Sequence, residues 1–242
     1  MQVYLSSGTH VDEIEDRIAA VTDRLDTLDV VFGEGGEATL RGQAHTIVRL
    51  FLRAPLIALA AAMQVFVVLP FGGWLASAVT SGSKGRDLDL MHQLASEYDA
   101  EISEIDPVNT AQPIYDRPLL WGVVNWLPTI SFPVVLLQRN PLSLAVAHSL
   151  LRFVLIGYLL LLIMLYVVNE QREDAMAATI RSRADDVDAS CVVLGEAHHV
   201  GVGKRLASHD GIDVLNPTPT NPDWTTRIGR HIWGFFDSIR DQ

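Results

Sequence analysis

Two histidine-bearing turns lie near opposite ends of this 242-residue chain. The tetrapeptide Ser-Gly-Thr-His ends at His10 and follows the apolar run 3–5, whereas Gly-Glu-Ala-His ends at His198 and follows the apolar run 191–194. Each histidine is therefore predicted just past the carboxyl end of a strand, where open α/β sheets build their binding sites. If the two strands lie close together, the two imidazoles can act on one ligand.

Two carboxylates are predicted at the same edge. The β-branched run 29–33 ends in glycine and is followed by Glu34, and the alternating run 101–105 closes on Asp106. Two neutral imidazoles and one carboxylate form a three-ligand set that leaves one position open on a divalent ion, and catalytic zinc sites use such a set to lower the pKa of bound water to about 7. His10, Glu34 and His198 are therefore candidate ligands for Mn, Co or Zn.

Plainer interpretations stand beside this one. A histidine just past a strand is often only a helix cap or a hydrogen-bonded turn residue. Asp106 would act as a general base, would fix a histidine tautomer, or would only begin the turn before Pro107. His199 is an alternative ligand, although the spacing to Gly201 favours its neighbour.

A cationic side chain, Arg172, completes the set of candidates. It would orient a substrate carboxylate or stabilise an oxyanion. The alternative is an ion pair with Glu173 or Asp174 on a solvated helix face. The candidate catalytic residues are therefore Glu34, Asp106 and Arg172.

The elements that must position these residues have the pattern of an α/β domain. Apolar residues recur at steps of three and four from Val11 to Leu25, which predicts a helix to about Thr27. A second helix carries Leu90 and Leu94 on one side and leads into the strand 101–105. Alternation of strands and helices predicts a mostly parallel sheet with flanking helices.

An apolar middle interrupts this domain. Residues 54–79 and 118–137 carry no charge, and 144–168 carries only Arg152, so each is long enough for the ~20 residues of a spanning helix. We therefore predict an inserted α-helical transmembrane region, made of apolar helices at 47–80, membrane-embedded or interfacial, and a transmembrane hairpin at 118–168. The α/β domain then consists of 1–46, 81–117 and 169–242, the last ending in an amphipathic helix.

The net charge limits the classes of partner that the chain is expected to bind. The net charge is -11, and no basic stripe is available to neutralise phosphates, which argues against nucleic acid. The partner that the apolar segments predict is the lipid bilayer. Arginines cluster on the sheet side of the apolar segments, against only Arg139 in the opposite turn, which predicts a cytoplasmic α/β domain.

The two histidine motifs, the strand ending at Glu34, the stretch 169–177 and the run 192–202 together resemble the TraB/PrgY/GumN family, to which the Tiki metalloproteases are related. The resemblance implies a metal site at His10, Glu34 and His198, with Arg172 in the helix before the last motif. It implies either a membrane-anchored metal-dependent hydrolase with a peptide substrate, or a non-catalytic membrane regulator of the pheromone-shutdown type that binds a peptide or protein partner. The chain departs from the family pattern at Ser7, where the family places glycine.

Overall fold

The structure is a computed structural model that describes residues 1–8, 14–34, 48, 50–64, 87–105, 111–137 and 144–219. The chain divides into two compact units. Unit 1 comprises Met1–Gly36, Thr80–Val108 and Asn169–Gln242, and unit 2 comprises Glu37–Val79 and Asn109–Val168. His10, Asp106, residues 65–86 and the predicted C-terminal amphipathic helix lie outside the described residues.

Unit 1 is built on a five-stranded, all-parallel sheet with the order β3-β2-β4-β1-β5. The strands are β1 (Gln2–Gly8), β2 (Val30–Gly33), β3 (Glu101–Glu104), β4 (Ala189–Gly195) and β5 (Asp213–Val214). Strands that are buried on both faces of a parallel sheet have nearly continuous apolar sequences. Strand β4 fits this rule, because six of its seven residues are buried. The prediction of an α/β fold with a mostly parallel sheet is confirmed.

Helices cover both faces of the sheet. On one face lie α1 (Ile14–Thr22) and α3 (Asp87–Tyr98), which share an apolar cluster with Val31 and Cys191. On the other face lie the carboxyl-terminal end of α6 (Leu144–Arg181) and α7 (Glu196–Ala207), which pack on Phe32 and Val192. Neighbouring residues of one strand thus enter opposite clusters, because side chains alternate across a strand.

Helix α1 is shorter than the periodicity predicts. It ends at Thr22 rather than near Thr27, and a turn at residues 23–24 follows. The Leu25 amide still donates to the carbonyl of Val21 at 2.9 Å, which keeps Leu25 in the core although the helix has ended.

The sheet has its topological switch point at β4. The helix that leaves β4 lies on one face, whereas α1, which follows β1, and α3, which leads into β3, lie on the other. Such a reversal opens a crevice at the carboxyl ends of the strands, where ligands bind in open α/β sheets. The residues that end β1, β2 and β4 therefore lie together at the carboxyl edge of the sheet.

Unit 2 is helical. It contains α2 (Pro55–Met63), α4 (Gln112–Asp116), α5 (Pro118–Leu137) and the amino-terminal part of α6. The Asn125 side chain is fully buried, accepts a hydrogen bond from the Ile57 amide at 3.1 Å and donates to the Trp121 carbonyl at 2.8 Å. Asn125 thereby satisfies a backbone donor at the start of α2, where no side chain of α2 caps the helix.

The outward surface of these helices is apolar. Leu119 and Leu137 are 84% and 88% exposed, and further leucines, isoleucines and valines face outward along α5 and α6. Within the described residues, α6 is the one helix long and apolar enough to cross a membrane. Only 22% of its most apolar stretch is buried in the structure. A polar side chain inside and leucines outside is the reverse of the usual arrangement in water.

Candidate functional site

Glu34 and His198 meet at the carboxyl edge of the sheet. Glu34 directly follows β2, and His198 is the third residue of α7, which begins as soon as β4 ends. The Glu34 Oε1 and His198 Nε2 atoms are 4.0 Å apart. Because β2 and β4 are paired neighbours, the sheet itself brings together two candidates that are distant in sequence.

The Glu34 carboxylate is held by two donors. Its Oε1 accepts a hydrogen bond from the Gly195 amide at 3.1 Å, and its Oε2 contacts the Arg172 guanidinium at 3.2 Å. Arg172 thus pairs with a predicted site residue at this edge of the sheet. The arrangement fixes the carboxylate with one oxygen toward His198.

His198 is 5% exposed and is oriented by Glu173, which is 7% exposed. The His198 Nδ1 lies 3.3 Å from Glu173 Oε1. Because a carboxylate paired with a guanidinium only accepts hydrogen bonds, Nδ1 is the nitrogen that carries the proton. In the neutral imidazole, the lone pair is then on Nε2, on the side of Glu34.

Arg205 holds Glu173 in this position. Its guanidinium donates to Glu173 Oε2 and to Asp174 Oδ1 at 2.6 Å each, and to Glu170 Oε2 at 3.1 Å. Burial opposes the charge of Arg205, but the hydrogen bond to Asp174 and the charges of Glu173 and Glu170 outweigh it and raise the pKa of the guanidinium. Four side chains therefore contact one another in series, from Glu34 through His198 and Glu173 to Arg205.

Gly201 leaves the space that this network needs. A Cβ atom built on Gly201 would overlap the carboxylate of Glu173. The Gly201 carbonyl also accepts a hydrogen bond from Arg205 at 3.1 Å. The glycine three residues after His198 therefore has a steric function at the site.

A second histidine contact lies at the same edge of the sheet. The Ser7 hydroxyl is 2.5 Å from His199 Nδ1, and His199 Nε2 is 2.7 Å from the main-chain carbonyl oxygen of Asn216. The Asn216 side chain bonds both backbone groups of Leu5 in β1, at 2.8 and 2.9 Å. His199 thus ties the end of β1 to the segment after β5.

The structure brings together three of the predicted site residues, Glu34, Arg172 and His198. His10 and Asp106 lie outside the described residues, so their predicted roles stay predictions. No group of three or more histidine, cysteine, aspartate or glutamate side chains with metal-binding geometry occurs among the described residues. The complete predicted ligand set includes His10, which lies outside the described residues, so this absence does not test that set.

Sequence reasoning missed Glu173 as the partner of His198 and missed Arg205 altogether. Glu173 was read only as an ion-pair partner of Arg172. A signal for it existed, because Glu170, Glu173 and Asp174 share one helix region and Arg205 lies in the helix that follows the second histidine motif. The Ser7–His199 contact had no signal, because it depends on the register that sets Ser7 opposite Leu194.

Cys191 lies in β4 and is fully buried. Burial raises the pKa of its thiol from 9.0 to about 12. We expect iodoacetamide at pH 8 to leave the folded protein unmodified and to alkylate the protein in guanidinium, because the thiolate is the reactive form and is roughly a thousandfold scarcer in the folded state. Mass spectrometry of the intact chain measures this.

The same pKa shift has a consequence for stability. Between pH 9 and about 12 the unfolded thiol ionises while the folded one does not, so raising the pH above 9 favours unfolding.

For the iodoacetamide experiment, alkylation of the folded chain at the rate of the unfolded chain would contradict the burial of Cys191.

No protein-family model matches this chain, and neither the curated proteins nor the solved structures compared with it give a match. The function is therefore argued from the geometry of the site and from the motifs of the sequence.

Proposed function

We propose that the protein is a membrane-anchored, metal-dependent hydrolase of the TraB/Tiki-like kind that acts on peptides. The observation that carries the proposal is the meeting of Glu34 and His198 at the switch point of the sheet, 4.0 Å apart. A carboxylate and an imidazole with its lone pair directed at that carboxylate suit the ligand chemistry of Mn, Co or Zn. His10, predicted at the end of β1, would be the third ligand.

The donors fit such an ion in chemistry and in spacing. Two ligands of a tetrahedral ion with bonds of about 2.0–2.1 Å lie roughly 3.4 Å apart. Glu34 Oε1 and His198 Nε2 are 4.0 Å apart, so a small rotation of the partly exposed Glu34 side chain would suffice. Metal-binding histidines commonly donate their other N–H to a carboxylate, which is the relation between His198 and Glu173.

Other residues of the chain would orient the metal ligands and bind the substrate. When bound, the ion would supply an acidified water as nucleophile. Glu173 and Arg205 hold the His198 ring and its tautomer, and Gly195 fixes the Glu34 carboxylate. Arg172 places a positive charge beside Glu34, where it would bind a substrate carboxylate or a developing oxyanion.

Metal analysis of the purified full chain tests the proposal. We expect the wild type to bind about one Mn, Co or Zn ion. The His198→Ala and Glu34→Gln variants should lose most of that metal, as should the His10→Ala variant if the sequence prediction holds. His209→Ala serves as the matched control, because His209 is exposed in the turn that follows α7, and this variant should retain the metal. Equal, negligible metal in wild type and in the His10→Ala, His198→Ala double variant would refute the metal site.

A non-catalytic membrane regulator is the second candidate. Both oxygens of Glu34 accept contacts from protein donors, Gly195 and Arg172, which satisfies the carboxylate without an ion. In such a protein the site would keep the fold and bind a peptide or protein partner. A folded wild type without metal, whose thermal stability does not change on adding Mn, Co or Zn, would favour the regulator.

We also propose that the apolar helices lie in a membrane, with the α/β unit in the cytoplasm. The support is the length of α6, the exposed leucines of α5 and α6, and the buried Asn125. In lipid, a satisfied polar group inside and an apolar surface outside is the expected arrangement. The cytoplasmic orientation rests on the excess of arginines on the sheet side of the apolar segments.

Membrane fractionation checks this part of the proposal. We expect the wild type to remain in the membrane after extraction with alkaline carbonate. The double variant Leu155→Asp, Leu159→Asp should be released or degraded, because each aspartate near the middle of a span costs about 2.5–3.5 kcal/mol. Leu88→Asp is the matched control, since Leu88 is an outward leucine on α3 of the α/β unit. Release of the wild type by carbonate would refute insertion.

A further inference from the structure

A single charged side chain interrupts the apolar part of α6. Arg152 is exposed, and its neighbours Leu151 and Leu155 are 56% and 57% exposed. None of the ion pairs among the described residues involves Arg152. Because a charged side chain in a membrane-spanning segment is costly without a partner, Arg152 needs a counterion that the described residues do not provide.

The apolar unit as a whole is poor in acidic residues. Unit 2 contains six arginines but only two acidic residues, Glu37 and Asp116, although the whole chain has a net charge of -11. The stretch 117–169 contains three of those arginines and no aspartate or glutamate. A second copy of the chain would bring the same acid-free stretch into the membrane, so it would offer Arg152 no carboxylate at this depth.

The acidic residues that flank this stretch do not reach Arg152. The rings of Phe132 and Phe153 stack with their centroids 4.6 Å apart, which places Arg152 beside the last third of α5. Asp116 precedes α5, and α5 extends about 21 Å before it reaches Phe132. Glu170 lies about five turns further along α6. The counterion of Arg152 therefore comes from another molecule in the bilayer.

The position of Arg152 along α6 suits a lipid headgroup. It follows the first residue of the helix, Leu144, by about 12 Å. Each Cα–Cβ bond of an α-helix tilts toward the amino terminus, and long cationic side chains extend out of the hydrocarbon toward the headgroups. The exposed His148 lies one turn nearer that end on the same face. Both side chains can therefore approach the headgroups of the leaflet at the turn between α5 and α6.

We propose that Arg152 and His148 bind the phosphate of an anionic phospholipid such as phosphatidylglycerol. The proposal rests on the membrane insertion proposed above for α6. A guanidinium offers phosphate two parallel hydrogen bonds, and a neutral imidazole offers one N–H. A zwitterionic headgroup carries its own ammonium and needs no cation, so anionic lipids are the expected class. The acyl chains lie on the exposed Leu151 and Leu155.

The same face is less suited to a partner helix. Close association of helices in a membrane uses small residues at the contact. The nearest glycine of α6, Gly157, already packs against α2, because a Cβ atom there would lie 3.2 Å from the Leu56 carbonyl oxygen. The exposed residues one turn beyond Arg152, Leu155 and Ile156, are large. A lipid therefore fits this surface better than an acidic transmembrane helix does.

Native mass spectrometry of the purified full chain in detergent tests the proposal, with phosphatidylglycerol and phosphatidylcholine of the same acyl chains as probes. We expect the wild type to bind phosphatidylglycerol about tenfold more tightly than phosphatidylcholine, and Arg152→Gln to lose that preference. Arg152→Lys keeps the charge and should keep most of the preference. Arg24→Gln is the matched control, because Arg24 is an exposed arginine of the α/β unit and its loss should not change lipid binding.

Circular dichroism of each variant separates a loss of binding from a loss of folding. Inorganic phosphate alone should not displace the lipid, since it has no acyl chains to pack on the leucines. Equal binding of the two lipids by the wild type, an unchanged preference in folded Arg152→Gln, or displacement by phosphate would overturn the proposal. A protein that purifies with the wild type in place of the lipid, and is lost in Arg152→Gln, would overturn it in favour of an acidic partner helix.

The lipid site and the insertion of α6 fail in different ways. A wild type that resists carbonate extraction but does not distinguish the two lipids contradicts the lipid site alone. Release of the wild type by carbonate contradicts the insertion on which the lipid site rests.

Discussion

Replacing Arg205 with methionine lowers the free energy of unfolding of the α/β unit by about 3 kcal/mol. The side chain of Arg205 is the cation that neutralises Glu173, which is almost fully buried between α6 and α7. Methionine fills a similar space but leaves that carboxylate buried without its partner. Chemical denaturation followed by circular dichroism measures the loss.

Two further variants show that the loss comes from a buried charge. Arg183→Met removes an exposed ion pair with Glu101, whose atoms are 2.9 Å apart, and should change stability only slightly because exposed pairs contribute little. The double variant Arg205→Met, Glu173→Met should recover part of the loss, since it removes the buried carboxylate together with its cation, while the His198 Nδ1–H loses its acceptor. A single Arg205→Met variant as stable as Arg183→Met would show that the network does not stabilise the fold.

Replacing Gly201 with alanine has the second-largest expected effect, about 2 kcal/mol of lost stability. Alanine in the interior of a helix normally gains about 1 kcal/mol over glycine. At Gly201 the new methyl group would occupy the space of the Glu173 carboxylate, so Glu173 must turn away from Arg205 and from His198. The cost of the broken contacts exceeds the gain of the helix former.

The same substitution also tests the site. If the metal proposal is right, Gly201→Ala should weaken metal binding about 10–100-fold, because the ring of His198 loses the carboxylate that orients it. Gly122→Ala is the matched control, since nothing lies within 4 Å of a Cβ at that helical glycine. Gly201→Ala with the stability of Gly122→Ala would contradict the packing described for Glu173.

The sequence predicts the elements of the α/β unit well because their signals are local. The run that ends at Gly33 is a strand as predicted, and the helix that carries Leu90 and Leu94 buries that face. The meeting of Glu34 and His198 was also predictable, since both follow strands of one sheet and the ends of parallel strands share an edge.

What the sequence does not determine is the lateral order of the strands and the contacts that follow from it. The position of β4 between β1 and β2 depends on which strands pair, and no local pattern encodes that choice. The pairing of Arg205 with Glu173 depends on how α6 and α7 pack on one face of the sheet. The Ser7–His199 contact likewise requires the register of two strands from opposite ends of the chain.

The central position of β4 has a consequence for how the chain is made. Strands β1 and β2 are synthesised first, but they are not neighbours, because β4 separates them in the sheet. Until residues 189–195 leave the ribosome, β2 has only β3 beside it, and a two-stranded unit is marginally stable at best in water. The apolar helices 118–137 and 144–168 are complete by then. The sheet therefore closes only after these helices have been synthesised, and Glu34 meets His198 only once the helix that follows β4 has been made.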